Sequence, residues 1–216
     1  MARPAIMPTR LSQSSLRQII ARDVPFEAYL SDYAGAYAEW VEGMVIQMSP
    51  ASAVHDSLSQ FFVILLRHFL RQTGLGTLRA APMVMRMQPD ASGREPDLHI
   101  VLNERAAILK DTLTDGPADV VIEIVSPESQ DRDLVEKYQE YEAGGVREYW
   151  IIHPQRQQAD FYALRADGLY QRIELRDGRF ESRVLSRFRL DTAVLWDRDF
   201  LEADERIRVL VDAMLA

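Results

Sequence analysis

The sequence predicts a mixed α/β fold, a central mixed β-sheet flanked by helices, on three observations. Val54 to Gln72 carries Val54, Leu58, Phe61, Phe62, Leu65, Leu66, Phe69 and Leu70 at helical spacing, and Gly74 follows as a stop. Thr77–Met87, Asp97–Leu102 and Asp119–Val125 then read as three successive strands. A second helix, Arg132–Ala143, is stopped by Gly144-Gly145 and leads into a strand, Val146–His153, closed by Pro154. Helices that bury one stripe against one sheet make a layered α/β domain.

The remaining elements extend that core at both ends. Residues 1–25 are polar and read as an N-terminal arm, with a short helix around Leu11–Arg22. Phe26–Asp32 is a short helix. Tyr37–Trp40 and Met44–Met48 flank Glu42-Gly43 and form a hairpin. Ser49-Pro50-Ala51-Ser52 starts the long helix. After His153, Ala159–Leu164 and Tyr170–Leu175 flank Ala166-Asp167-Gly168, a second hairpin signal, and Arg179–Leu185 adds a strand to this C-terminal meander. Residues 26–200 are therefore read as one domain, and 201–216 as a C-terminal amphipathic helix.

Composition narrows the chemistry. The 216 residues are 47% apolar and 27% charged, as in a globular protein. There is no cysteine, which excludes disulfides, thiolate metal sites and cysteine nucleophiles. No apolar run is long enough to span a membrane, and the first residues lack the apolar core of a secretory signal, so a cytoplasmic protein is expected. The net charge of −8 works against broad phosphate neutralisation, although a local basic face can act alone. Lys110 and Lys137 are the only lysines in a chain that otherwise uses arginine.

Two carboxylates lie in apolar strand sequence. Asp97 opens Asp97-Leu98-His99-Ile100-Val101-Leu102, and Glu123 sits within Val120-Val121-Ile122-Glu123-Ile124-Val125. A buried carboxylate needs a cation, hydrogen bonds or a metal. Two of them in neighbouring strands suit a hard divalent cation, and Lys137 on the following helix suits an anionic transition state. Asp133, Lys137 and Tyr141, at i, i+4 and i+8, share a helix face. Each has a plainer reading: a strand-end acid for Asp97, a structural ion pair for Glu123, a solvated pair for Asp133 and Lys137, and a core ring for Tyr141. Glu39 is either a third acid at the site or a cross-strand partner. His55, near the helix start, either meets phosphate or is an exposed first-turn residue. Ser126 and Ser129 read as caps, and the arginines at 172, 176, 179, 183 and 187 alternate with acids as on a solvated surface.

The ordered motifs resemble a known group. Glu39-Trp40-Val41-Glu42-Gly43, Ser49-Pro50 with His55, Pro96-Asp97, Glu123-Ile124-Val125-Ser126-Pro127, Asp133 with Lys137 and Tyr141, and Gly145-Val146-Arg147-Glu148-Tyr149-Trp150 are similar to the Uma-type restriction endonuclease family, a domain of unknown function within the PD-(D/E)XK nuclease superfamily. The resemblance implies a restriction-endonuclease-like core. It makes Asp97 and Glu123 ligands of Mg²⁺ or Mn²⁺, with the Ile124 carbonyl as a third donor, and gives Lys137 the role of transition-state stabiliser. Two departures stand out. Val125 occupies the place where the superfamily carries its lysine, so that role passes to Lys137, and His153 stands where relatives often have aspartate. The expected function is Mg²⁺-dependent hydrolysis of DNA phosphodiester bonds. The alternatives are an inactive nuclease-fold module that binds nucleic acid or protein, and hydrolysis of another phosphoester. A homodimer is expected by analogy with enzymes that cut both strands.

Overall fold

Local patterning produces the elements, but the sheets divide the strands differently from the sequence reading. The computed structural model describes residues 11–13, 18–88, 92–127 and 129–216. Strand β1 (Ile19–Ala21) and helix α1 (Phe26–Asp32) precede the hairpin β2 (Ala38–Val41) and β3 (Met44–Gln47). Glu42 and Gly43, at φ 48° and 83°, supply the two left-handed residues that a tight hairpin turn requires. Ser52 caps helix α2 (Ala53–Thr73) through its side chain and the His55 N–H. The chain continues through β4 (Gly76–Ala80), β5 (Val84–Arg86), β6 (Gly93–Arg94), β7 (Leu98–Leu102), β8 (Leu113–Asp115) and β9 (Val120–Ile124). A π-helical turn, Arg132–Glu136, leads into α3 (Lys137–Gly144). Strands β10 (Glu148–His153), β11 (Gln158–Leu164), β12 (Tyr170–Arg172), β13 (Arg179–Glu181) and β14 (Arg189–Asp191) follow, then helices α4 (Arg198–Leu201) and α5 (Asp204–Leu215).

These strands make two six-stranded mixed sheets, ordered β1-β3-β2-β6-β5-β8 and β12-β11-β10-β9-β7-β4, and a β13-β14 pair. The mixed α/β class holds. The expected N-terminal hairpin, however, belongs to the first of these sheets, separate from the one that holds β7, β9 and β10. The reason lies in Thr77–Met87, read as one strand: it is two, because Pro82 cannot donate to a ladder and the chain crosses from one sheet to the other there. Of the helix expected at Leu11–Arg22, residues 14–17 lie outside the described residues, and Ile19–Ala21 pairs instead with β3.

In the second sheet β9 lies between antiparallel β7 and parallel β10. Its period-two alternation sorts Val120, Ile122 and Ile124 to one face, under Phe62, Leu66 and the α5 residues Ile207 and Val211. Val121 and Val125 face the other way, toward Tyr141 and Tyr149. Glu123 shares that second parity, so β9 presents its one acid to α3.

Candidate metal and catalytic site

The end of β9 gathers the two acids. Asp97 stands immediately before β7, and its Oδ2 accepts the backbone N–H of Ile124 at 2.7 Å, which pins it beside Glu123. Its Oδ1 lies 3.1 Å from His55 Nε2 at the first turn of α2. Glu123 Oε1 accepts from Lys137 Nζ and Tyr141 Oη, both at 2.9 Å. Among the described residues nothing donates to Glu123 Oε2. Asp97, Glu123, His55, Asp133 and Lys137 all line one pocket of about 410 Å³.

Lys137 is not a solvated helix lysine. It is 1% exposed and clamped by Glu123 at 2.9 Å, Glu39 Oε1 at 3.0 Å and Asp133 Oδ1 at 3.4 Å. Glu39 in turn reaches Arg94 at 2.8 Å. Arg94 spreads across Glu140, with its Nε and one terminal nitrogen at 2.8 and 2.7 Å, and meets Glu136 at 3.4 Å. These side chains are 0–6% exposed. Strand β2 thus supplies Glu39, β6 Arg94, β9 Glu123, and the π turn and α3 the rest. Asp133, Glu136, Lys137, Glu140 and Tyr141 form an inward stripe at i, i+3, i+4, i+7 and i+8, charged where an apolar stripe is usual.

The charges set the acid strengths. Burial pushes Glu39 up, but Lys137 and Arg94 outweigh it and hold its carboxyl at about 2. Burial raises the Glu123 carboxyl to about 8 in spite of Lys137, which favours its charged form, and Asp133, Asp97 and Glu39 add to the rise. Burial likewise raises Asp133. Burial would lower Lys137, yet Glu123, Glu39 and Asp133 raise it. For His55, burial is overcome by the hydrogen bond and charge of Asp97, and the imidazole moves up. Three acids share one lysine: Glu39 also has Arg94 and is lowered, whereas Glu123 and Asp133 are left short of positive charge and are raised.

The donor set fits a hard cation. Two carboxylates, one with an oxygen that has no donor among the described residues, line an open pocket and repel each other electrostatically. The described residues hold no group of three or more His, Cys, Asp and Glu arranged for a metal. Two carboxylates with retained waters is the environment Mg²⁺ prefers, since it dehydrates reluctantly.

Comparison with known proteins follows this geometry. The family described as Uma2, "Putative restriction endonuclease", matches residues 25–193. The chain belongs to the Uma2 family. A crystal structure described as a putative nuclease belonging to DUF820, from Anabaena variabilis ATCC 29413, superposes with a TM-score of 0.66 at 16% identity, over 82% of this chain and 99% of that one. That likeness shows a shared fold. No curated protein matches.

Within this Uma2 chain the structure brings together the residues singled out from sequence, with changed partners. His55 is partly buried and meets Asp97 at 3.1 Å. Glu123 meets a lysine and a tyrosine. Tyr141 is fully buried, as a core ring is, with its hydroxyl on Glu123. Ser126 and Ser129 exchange hydrogen bonds through their hydroxyls in the turn after β9. The trailing arginines are exposed, and Arg172 pairs with Asp160. Sequence reasoning missed Arg94, Glu136 and Glu140. Their signal was available: an arginine three residues before Asp97, and acids at positions 136 and 140 flanking Lys137 on its own helix face.

Proposed function

We propose that this protein is a Mg²⁺- or Mn²⁺-dependent nuclease that hydrolyses phosphodiester bonds at the end of β9. The observation that carries this reading is Glu123: one oxygen held by Lys137 and Tyr141 at 2.9 Å, the other with no donor among the described residues, beside Asp97 in an open pocket. Family membership and the nuclease-like fold support a nuclease in general terms.

Asp97 and Glu123 would hold the ion, which when bound neutralises phosphate charge and lowers the pKa of a coordinated water. Tyr141 and Lys137 fix the Glu123 rotamer, so its second oxygen is preorganised. Lys137 stays cationic, because three carboxylates surround it, and offers positive charge at the pocket floor where negative charge develops on phosphorus oxygens. Asp97 is fixed by the Ile124 N–H, which leaves its outer oxygen to exchange His55 for a ligand.

A second reading has one observation in its favour. Each proposed ligand already has an internal cationic partner, His55 or Lys137, as in a nuclease fold kept for binding alone. The experiment that separates the two is nicking of supercoiled plasmid at low salt with Mg²⁺, Mn²⁺ or EDTA, wild type against Glu123→Ala. Metal-dependent nicking that disappears in Glu123→Ala is the expected result. Equal nicking by both proteins, or no nicking by either together with no metal-dependent cleavage of single-stranded DNA or RNA, rejects the nuclease.

A further inference from the structure

Above the acids, the pocket changes character. Its rim is built from Ala36, Tyr37, Met48, Pro50 and Ala51, and is largely apolar. Tyr37 and Met48 sit side by side at the open end of the β2–β3 hairpin, where the Met48 N–H donates to the Tyr37 carbonyl at 2.8 Å. The Gln47 side-chain amide donates to the same carbonyl at 2.9 Å. Tyr37 is thereby held at φ 54°, a left-handed conformation costly for a bulky residue, and its side chain stays 54% exposed. A strained backbone fixed by two hydrogen bonds presents a bare aromatic ring at the mouth of a candidate catalytic pocket.

Charge points the same way. Three side chains of the pocket wall can carry positive charge, and the protein already engages each one. His55 is on Asp97, Lys137 is among three acids, and Arg132 is 2% exposed with a hydrogen bond to Gln18. Duplex binding depends on neutralising many phosphates, and neither this wall nor a net charge of −8 provides for that. Binding of unpaired bases draws also on stacking against aromatic faces, which the bases of an intact duplex do not offer.

Resting on the nuclease reading above, we infer that the pocket takes an unpaired nucleotide of a single strand, overhang or extruded base, stacked on Tyr37, with its phosphate toward Asp97 and Glu123. A volume of about 410 Å³ is that of a small-ligand pocket, not a duplex groove.

The test is fluorescence anisotropy with the full chain and Ca²⁺ in place of Mg²⁺. The probes are labelled thymidine and uridine 12-mers, which separate DNA from RNA, and the thymidine 12-mer annealed to its complement. At least one single strand should bind about tenfold or more tighter than the duplex. Tyr37→Ala should weaken that binding by about tenfold, and Tyr37→Phe, which keeps the ring, should retain it. Duplex binding as tight as single-strand binding, unchanged affinity in Tyr37→Ala, or no binding to any probe would overturn the inference. Cleavage is scored separately: single-strand binding without metal-dependent cleavage rejects the nuclease and leaves the nucleotide pocket standing.

Discussion

Replacing Arg94 by methionine removes the cation that three acids share. The guanidinium lies 2.8 Å from Glu39, 2.7 Å from Glu140 and 3.4 Å from Glu136, and all are nearly inaccessible to water. Taking one partner from a buried ion pair costs about 3–5 kcal/mol. The cost is not multiplied by three here. Glu39 keeps Lys137 at 3.0 Å, and Glu140, the least buried of the three at 6% side-chain exposure, can turn toward solvent. At about 2–4 °C per kcal/mol for a chain of this size, the melting temperature should fall by roughly 6–20 °C. Thermal unfolding followed by circular dichroism at pH 7.5 measures it. The loss should persist in 0.5 M NaCl, because a dry pair is poorly screened. Arg94→Lys should recover only part of the loss, since one ammonium cannot grip Glu140 with two parallel bonds. Arg94→Met combined with Glu140→Gln should recover more. A shift below 2 °C in Arg94→Met, or no recovery in the double variant, refutes the reasoning that this charge is required by its buried partners.

Metal should stabilise the folded chain: Mg²⁺ at a hundredfold excess over its dissociation constant adds about 2.7 kcal/mol, a rise of roughly 5–11 °C. Asp97→Ala should show no such rise by differential scanning fluorimetry. His99 is buried, with Nε2 at 2.8 Å from Thr114 Oγ1, and burial together with Arg79 lowers its imidazole to about 3. Below pH 6.5 the unfolded chain therefore binds more protons than the folded one, so urea-unfolding stability should drop by about 1.5–2 kcal/mol between pH 6.5 and 5. His99→Gln should flatten that portion of the profile. Gly144→Ala would place a Cβ 2.3 Å from the Met87 sulfur, and the crowding should cost about 1–3 kcal/mol in the same assay.

Helix α2 was legible because its apolar stripe is continuous, and β9 because Val, Ile and one acid alternate as a buried strand does. That Glu123 needs a partner followed from the cost of burying a carboxylate; that the partner is Lys137 did not. The two-sheet division was not legible: Thr77–Met87 alternates through a proline, and periodicity cannot say that a strand changes sheets. The charged stripe of α3 escaped for a related reason. Pattern reading assigns charge to the solvent side, and Glu136 and Glu140 invert that rule because Arg94, more than forty residues away in sequence, meets them. Nothing local to α3 announces its partner. The contact of His55 with Asp97 was hidden for the same cause, since only the approach of α2 to the start of β7 creates it.

Glu39 belongs to the first sheet, yet it holds the lysine of a helix laid on the second. The candidate active centre therefore cannot mature on either half alone. Until the hairpin has docked, Lys137 lacks one of its three anchors and Arg94 one of its acids. The charge balance of this pocket is thus a property of the joined sheets, and a change at their seam reaches it as directly as a change in its own lining.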